Sequence, residues 1–117
     1  MRYLCLVYAQ EGAGEAPDHS RGGGPACEAR AHDEELRRGG HLLAAGALYP
    51  AHAATTVRVR GGRVAVADGP HGEANHRLAR FVYLEARDLN EAIRLVARMP
   101  AARRGSVELR PIDDRAD

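Results

Sequence analysis

Two glycines at the centre of an alternating stretch constrain this chain more than any other feature. Residues 54–68 read Ala-Thr-Thr-Val-Arg-Val-Arg, then Gly61-Gly62, then Arg-Val-Ala-Val-Ala-Asp. A two-residue Gly-Gly loop between alternating strands favours a primed turn, because both central residues can take positive φ. That turn sets a register, with Arg60 opposite Arg63, Val59 opposite Val64, Val57 opposite Val66 and Thr55 opposite Asp68. Val57, Val59, Val64 and Val66 then share one apolar face, and Thr55 and Asp68 lie at its far end. A carboxylate at the rim of an apolar face is costly unless something pairs with it. A Gly-Pro turn follows Asp68, and then a polar run, His71-Gly72-Glu73-Ala74-Asn75-His76. A functional site is expected there.

The rest of the chain supplies the frame. Residues 2–8 are apolar at nearly every position, as in a strand buried on both faces. Residues 10–24 are Gly-rich and without periodicity, a loop that could serve as a lid. Pro25 suits the first turn of a helix running to Arg38, stopped by Gly39-Gly40, with Ala29, His32 and Leu36 on its inward stripe. Residues 41–47 and 80–85 read as strands, the second with almost no alternation. Asp88 is an N-cap, and Glu91 completes a capping box. Leu89, Ala92, Ile93 and Val96 then repeat at i, i+3, i+4, i+7, the stripe of an amphipathic helix ending before Pro100. Residues 106–110 alternate as an edge strand. Residues 113–117 form a charged, fraying tail.

With the hairpin as an insertion, this order gives an α+β, ferredoxin-like β-α-β-β-α-β domain over residues 1–112. The first and third main strands are central in that topology, and they are the two strands that lack alternation. Both helices would cover one sheet face. The other face stays apolar, and a second copy packed sheet to sheet would cover it. A homodimer follows, with a cleft between helices, hairpin and loop.

Composition removes several function classes. All 17 basic residues are arginine and none is lysine. That excludes Schiff-base chemistry, a lysine-linked pyridoxal cofactor and a Walker-type phosphate loop. A net charge of +1 offers no electrostatic case for nucleic acid or membrane. No apolar run approaches the length of a membrane span and no signal peptide precedes the first strand, so a cytoplasmic location is expected. Cys5 and Cys27 make neither a disulfide framework nor a zinc site.

Beyond these readings, the chain resembles the YCII-related proteins, and within them the group with a D-G-P-F-x-E-T-K-E motif. Asp68, Gly69, Pro70 and Glu73 match that motif. Arg2-Tyr3-Leu4-Cys5-Leu6-Val7-Tyr8 resembles the family's first strand, and Glu34-Glu35-Leu36-Arg37 with Gly40 and Leu42-Leu43 resembles its first helix and second strand. Ala54-Thr55-Thr56-Val57-Arg58, Asp88-Leu89 with Glu91-Ala92, Pro100, and Val107-Glu108 with Arg110-Pro111 also fit. The resemblance implies a dimeric α/β barrel. It does not imply one reaction.

His71 stands where the motif has phenylalanine, which places a group that titrates near neutrality beside the motif carboxylate. Ala74, Asn75 and His76 replace its threonine, lysine and second glutamate. Ala79 and Arg80 stand where two glycines are usual. Other YCII-related proteins carry a histidine on the first helix, proposed to pair with an aspartate. Counted back from Leu42-Leu43, that position is Ala29 here, and His32 lies one turn later on the same face. The candidate catalytic residues are therefore Asp68 and His71, with His32 in an analogous role. Thr55, Glu73, His76 and Arg80 are candidates for binding a small-molecule ligand. No cofactor and no metal are expected, because His71, Glu73 and His76 match no established ligand spacing. Arg58, Arg60 and Arg63 would coat the hairpin's outer side, with anion recognition open to Arg58 and Arg80. Two functions fit: a cofactor-independent proton-transfer enzyme (isomerisation, elimination or cyclisation), or a non-catalytic binding protein, since relatives resemble accessories of sigma-factor systems.

Overall fold

The computed structural model describes residues 1–9, 25–72 and 77–115, the side chains of residues 25–27 excepted. The expected Gly-rich loop, the Cys27 side chain, and Glu73 and His76 lie outside the described residues. The chain runs β1 (Arg2–Tyr8), α1 (Pro25–Arg38), β2 (Leu42–Ala47), β3 (Thr55–Arg60), β4 (Arg63–Asp68), β5 (Leu78–Glu85), α2 (Leu89–Ala97), α3 (Pro100–Arg104) and β6 (Ser106–Pro111). A single 3-10 turn at Ala51–Ala53 links β2 to β3.

The fold is α+β and ferredoxin-like. Four strands form an antiparallel sheet in the order β2-β5-β1-β6, and β3 and β4 form a separate two-stranded ribbon. β1 and β5 are central, as their unbroken apolar runs require, and β6 is an edge. The helices cover one face of the sheet. There Tyr3 and Cys5 of β1 and Val82 and Leu84 of β5 meet Leu36, Ala92, Val96 and Met99. Full burial of each such aliphatic side chain contributes about 1.5–3 kcal/mol. Burial pushes the Cys5 thiol up to about 12, so it stays protonated as a small apolar filler.

Among the described residues, no helix covers the opposite face. Pairing sets Leu4 across from Tyr83 and Leu6 across from Phe81, and these four side chains stay partly exposed. β1 is therefore shielded on one side and half open on the other within a single chain, whereas its sequence suits burial on both. The molecule is only 19 Å through its shortest dimension, the depth of one helix layer on one sheet. Gly46 of β2 belongs to this open face. A Cβ there would lie 2.7 Å from Cε1 of Phe81, so the ring lies directly over the glycine backbone.

The second helix follows its capping signals. Asp88 Oδ1 accepts from the Glu91 backbone N–H at 2.9 Å, and Glu91 Oε1 accepts from the Arg87 N–H at 2.7 Å. The bond from Arg87 holds the Glu91 carboxyl below its ordinary range. The inward stripe differs from the expected one. Ala92, Leu95, Val96 and Met99 carry it, while Leu89 and Ile93 are exposed. Both sets have spacing i, i+3, i+4, i+7, and they differ by three residues. The chain continues past Pro100 into α3, with proline at its first turn, and that continuation buries Met99 and Pro100. The start of the charged tail is tied down as well. Arg2 donates to Asp114 at 2.5 Å, and Ile112 N–H donates to the Arg2 carbonyl at 2.8 Å.

His32 is 8% exposed and packs in the helix layer, where its Nδ1 has no partner among the described residues. Burial holds its pKa below the ordinary histidine value, against the pull of Glu35 and Asp33. Its folded-state pKa therefore lies below its unfolded one, so its contribution is intact above about pH 6.5 and is lost as pH falls. Denaturant titrations between pH 7.5 and 5 should show wild-type stability falling more steeply than that of His32→Leu. Parallel profiles would exclude this group as the cause. Next to it, Arg80 of β5 donates to Asp33 of α1 at 2.7 Å, with the two side chains only 20% and 18% exposed. Arg80→Met leaves that carboxylate without its cation and should lower unfolding free energy by about 1–3 kcal/mol in urea titrations. An unchanged midpoint would show that the pair is not structural.

Candidate functional site

The hairpin forms as its glycines dictate. Gly61 and Gly62 have φ of 57° and 79°, both positive as a type I′ turn needs. The register is the expected one, from Arg60 opposite Arg63 to Thr55 opposite Asp68. Alternation then gives the ribbon two unlike faces. One carries Val57, Val59, Val64 and Val66, which are 55–68% exposed. The other carries Thr56, Arg58, Ala65 and Ala67.

A second turn folds the chain back over that second face. Gly69, at φ 98°, begins it. Its N–H donates to the Ala54 carbonyl at 2.7 Å, and its carbonyl accepts from the Thr56 hydroxyl at 2.7 Å. The Gly-Pro turn is thus strapped to the base of β3. This geometry delivers His71 to Arg58, with Arg58 Nη2 3.3 Å from His71 Nδ1. A guanidinium can only donate, so Nδ1 is the acceptor in this contact. Arg58 has no carboxylate partner among the described residues. Around the pair lies an open cavity of about 470 Å³, lined by Thr56, Arg58, Ala67, Asp68, Pro70 and His71.

The structure sorts the sequence candidates into three places. Asp68 and His71 line one cavity, though the described neighbour of His71 is Arg58. Asp68 keeps its register position opposite Thr55, on the valine side of the ribbon. Thr55 is exposed and absent from the cavity lining, and Thr56, its neighbour, makes the structural bond instead. His32 and Arg80 belong to the layer between sheet and helices. His32 lines a separate shallow cleft with Glu28, Glu35, Arg98 and Arg103, and Arg80 is held by Asp33. The expected cleft shared by helices and hairpin is therefore not what forms around Asp68, because no helix residue lines that cavity among the described residues. Arg58 and Thr56 are the residues that sequence reading undervalued. Their signal was alternation, since both sit on the face opposite the valines, but the turn that brings His71 to that face could not be read from periodicity.

The arrangement offers a cation, an imidazole in contact with it, and a hydroxyl already engaged in the fold. Among the described residues no three His, Cys, Asp or Glu side chains converge as a metal would require, and no helix is long and apolar enough to cross a membrane. A search of curated proteins returned no match. The model of the YCII-related domain matches residues 1–115, which includes every described strand of this sheet, the helices that cover it and the ribbon that builds the cavity. With its Asp-Gly-Pro turn strapped to β3, the chain belongs to the YCII-related family.

Proposed function

We propose that this YCII-related protein is a cofactor-independent small-molecule enzyme that moves a proton within the cavity at the Asp68-Gly69-Pro70 turn. The observation that carries the reading is the contact between Arg58 and His71. While Arg58 donates to it, Nδ1 is occupied. An acceptor group on a bound ligand would compete with Nδ1 for the guanidinium. The proton would pass from an acidic C–H of the ligand to Nδ1, and the imidazolium would return it to another atom of the same ligand or to a leaving group. Isomerisation, elimination and cyclisation all fit that sequence. Asp68, three residues earlier and lining the same cavity, is the second member of the acid/base pair. His32 and Arg80 have no part in this reading, since the helix layer holds both. Positioned acid/base groups contribute roughly 10²- to 10⁴-fold.

A second reading is a non-catalytic binding protein, an accessory of a sigma-factor system. One observation favours it: Asp68 and His71 are both exposed in an open cavity, which excludes little water. Deuterium exchange separates the two. The protein is incubated in D2O with a panel of small carbonyl compounds bearing acidic C–H groups, and loss of the proton signals is followed by NMR. Exchange that falls at least tenfold in both His71→Phe and Asp68→Asn supports the enzyme. Exchange indifferent to both substitutions sinks it and leaves the binding reading.

The working unit of this reading is a homodimer. The open sheet face with Leu4, Leu6, Phe81 and Tyr83 supports it, as does the exposed valine face of a ribbon that two strands alone hold only marginally. Sedimentation equilibrium should give twice the chain mass for wild type and the single mass for Leu6→Glu. A wild-type monomer at micromolar concentration would remove the dimer from the proposal.

A further inference from the structure

Next to the Arg58–His71 cavity lies a second one of about 380 Å³, of opposite character. Leu48, Tyr49, Pro50, Ala54 and Leu78 line it, and Pro70 lines both cavities. Leu48 and Tyr49 are exposed, Tyr49 at 86%, so large apolar surface here meets solvent. Local bonds hold the wall in place: Leu48 N–H donates to the Ala79 carbonyl at 2.8 Å, and Ala53 N–H closes the 3-10 turn onto Pro50 at 2.9 Å. Ala54, Thr56 and Arg58 succeed one another at every second residue, so they run along one side of the chain from the apolar cavity to the cation. Four residues of extended chain span about 13 Å. Pro70 therefore divides a single trough, apolar at the Leu48–Tyr49 end and polar at the other, where Arg58, His71 and Asp68 lie.

We infer that this trough binds a small amphipathic monoanion, a carboxylate carried on an apolar body on the order of 10 Å long. The carboxylate meets Arg58, which has no acidic partner among the described residues. The apolar body crosses Pro70 and rests against Leu48, Tyr49 and Leu78, the concave and mostly apolar kind of surface that small ligands use. The Arg58 end also holds the exposed Asp68 carboxylate, which opposes a second negative charge on the ligand, and among the described residues the other end has no polar side chain but the Tyr49 hydroxyl, so a single terminal charge is favoured over a diacid or a sugar. The inference rests on the turn being the site, and it assigns the ligand class that the proton-transfer reading leaves open.

The test is amide chemical-shift mapping on the full chain with three probes: 4-phenylbutyrate, its neutral amide 4-phenylbutyramide, and acetate. The expected result is that 4-phenylbutyrate perturbs both residues 48–54 and residues 56–71, and binds about tenfold or more tighter than either other probe. Arg58→Gln should bring 4-phenylbutyrate down to the affinity of the amide. Leu48→Ser should weaken both phenyl compounds alike. Equal affinity for acid and amide, indifference to Arg58→Gln, or shifts confined to other surfaces would overturn the inference. Binding with the expected pattern in a protein that exchanges no protons keeps the ligand class and removes the enzyme reading. Exchange on neutral compounds alone does the reverse.

Discussion

One sheet covered on one side governs this molecule. β1 and β5 lie at the centre of four strands and pair with each other along their whole length, from Arg2 opposite Glu85 onward. The described helices pack on one face of that pair. Tyr3, Cys5, Val82 and Leu84 vanish under them, while Leu4, Leu6, Phe81 and Tyr83 on the reverse keep contact with solvent. The helix layer is well built. It has a capped helix, a half-buried ion pair and a buried histidine. The reverse face and the ribbon carry the uncovered apolar surface, and the ribbon also carries Thr56, Arg58 and Asp68.

That division sets two of the candidate residues apart from the others. His32 is a candidate because it lies one helical turn from a position where other YCII-related proteins carry a histidine, and Arg80 because an arginine there could recognise an anion. Burial discourages a charge on His32, and a carboxylate on the neighbouring helix engages Arg80. Other polar groups lie elsewhere, on the Thr56-Arg58 face of the ribbon and the turn strapped to it.

Much of this could be read from residues alone. Gly61-Gly62 specified a turn that then placed eight residues opposite one another without error. Asp88 and Glu91 specified where the second helix begins. Unbroken apolar runs marked the two central strands. What escaped was tertiary. The inward stripe of α2 depends on α3, which no periodic signal announced, since a five-residue helix has less than two turns in which to show one. The partnership of His71 depends on a positive φ at Gly69 and on a hydroxyl bond from Thr56. Neither shows up as periodicity, and together they carry the chain from the valine side of the ribbon to the other.

The two-faced ribbon has a consequence for how such a protein can vary. Adjacent codons in β3 and β4 report to different surfaces. A change at Val57 or Val59 alters an apolar sheet surface, and a change at Thr56 or Arg58 alters a polar cavity, though each pair is separated by a single peptide bond. Drift on one face therefore need not be felt on the other. A lineage could exchange what it holds at Arg58 while keeping the valines intact, or the converse. A histidine can then stand at position 71 beside Arg58 without the ribbon ceasing to be a ribbon.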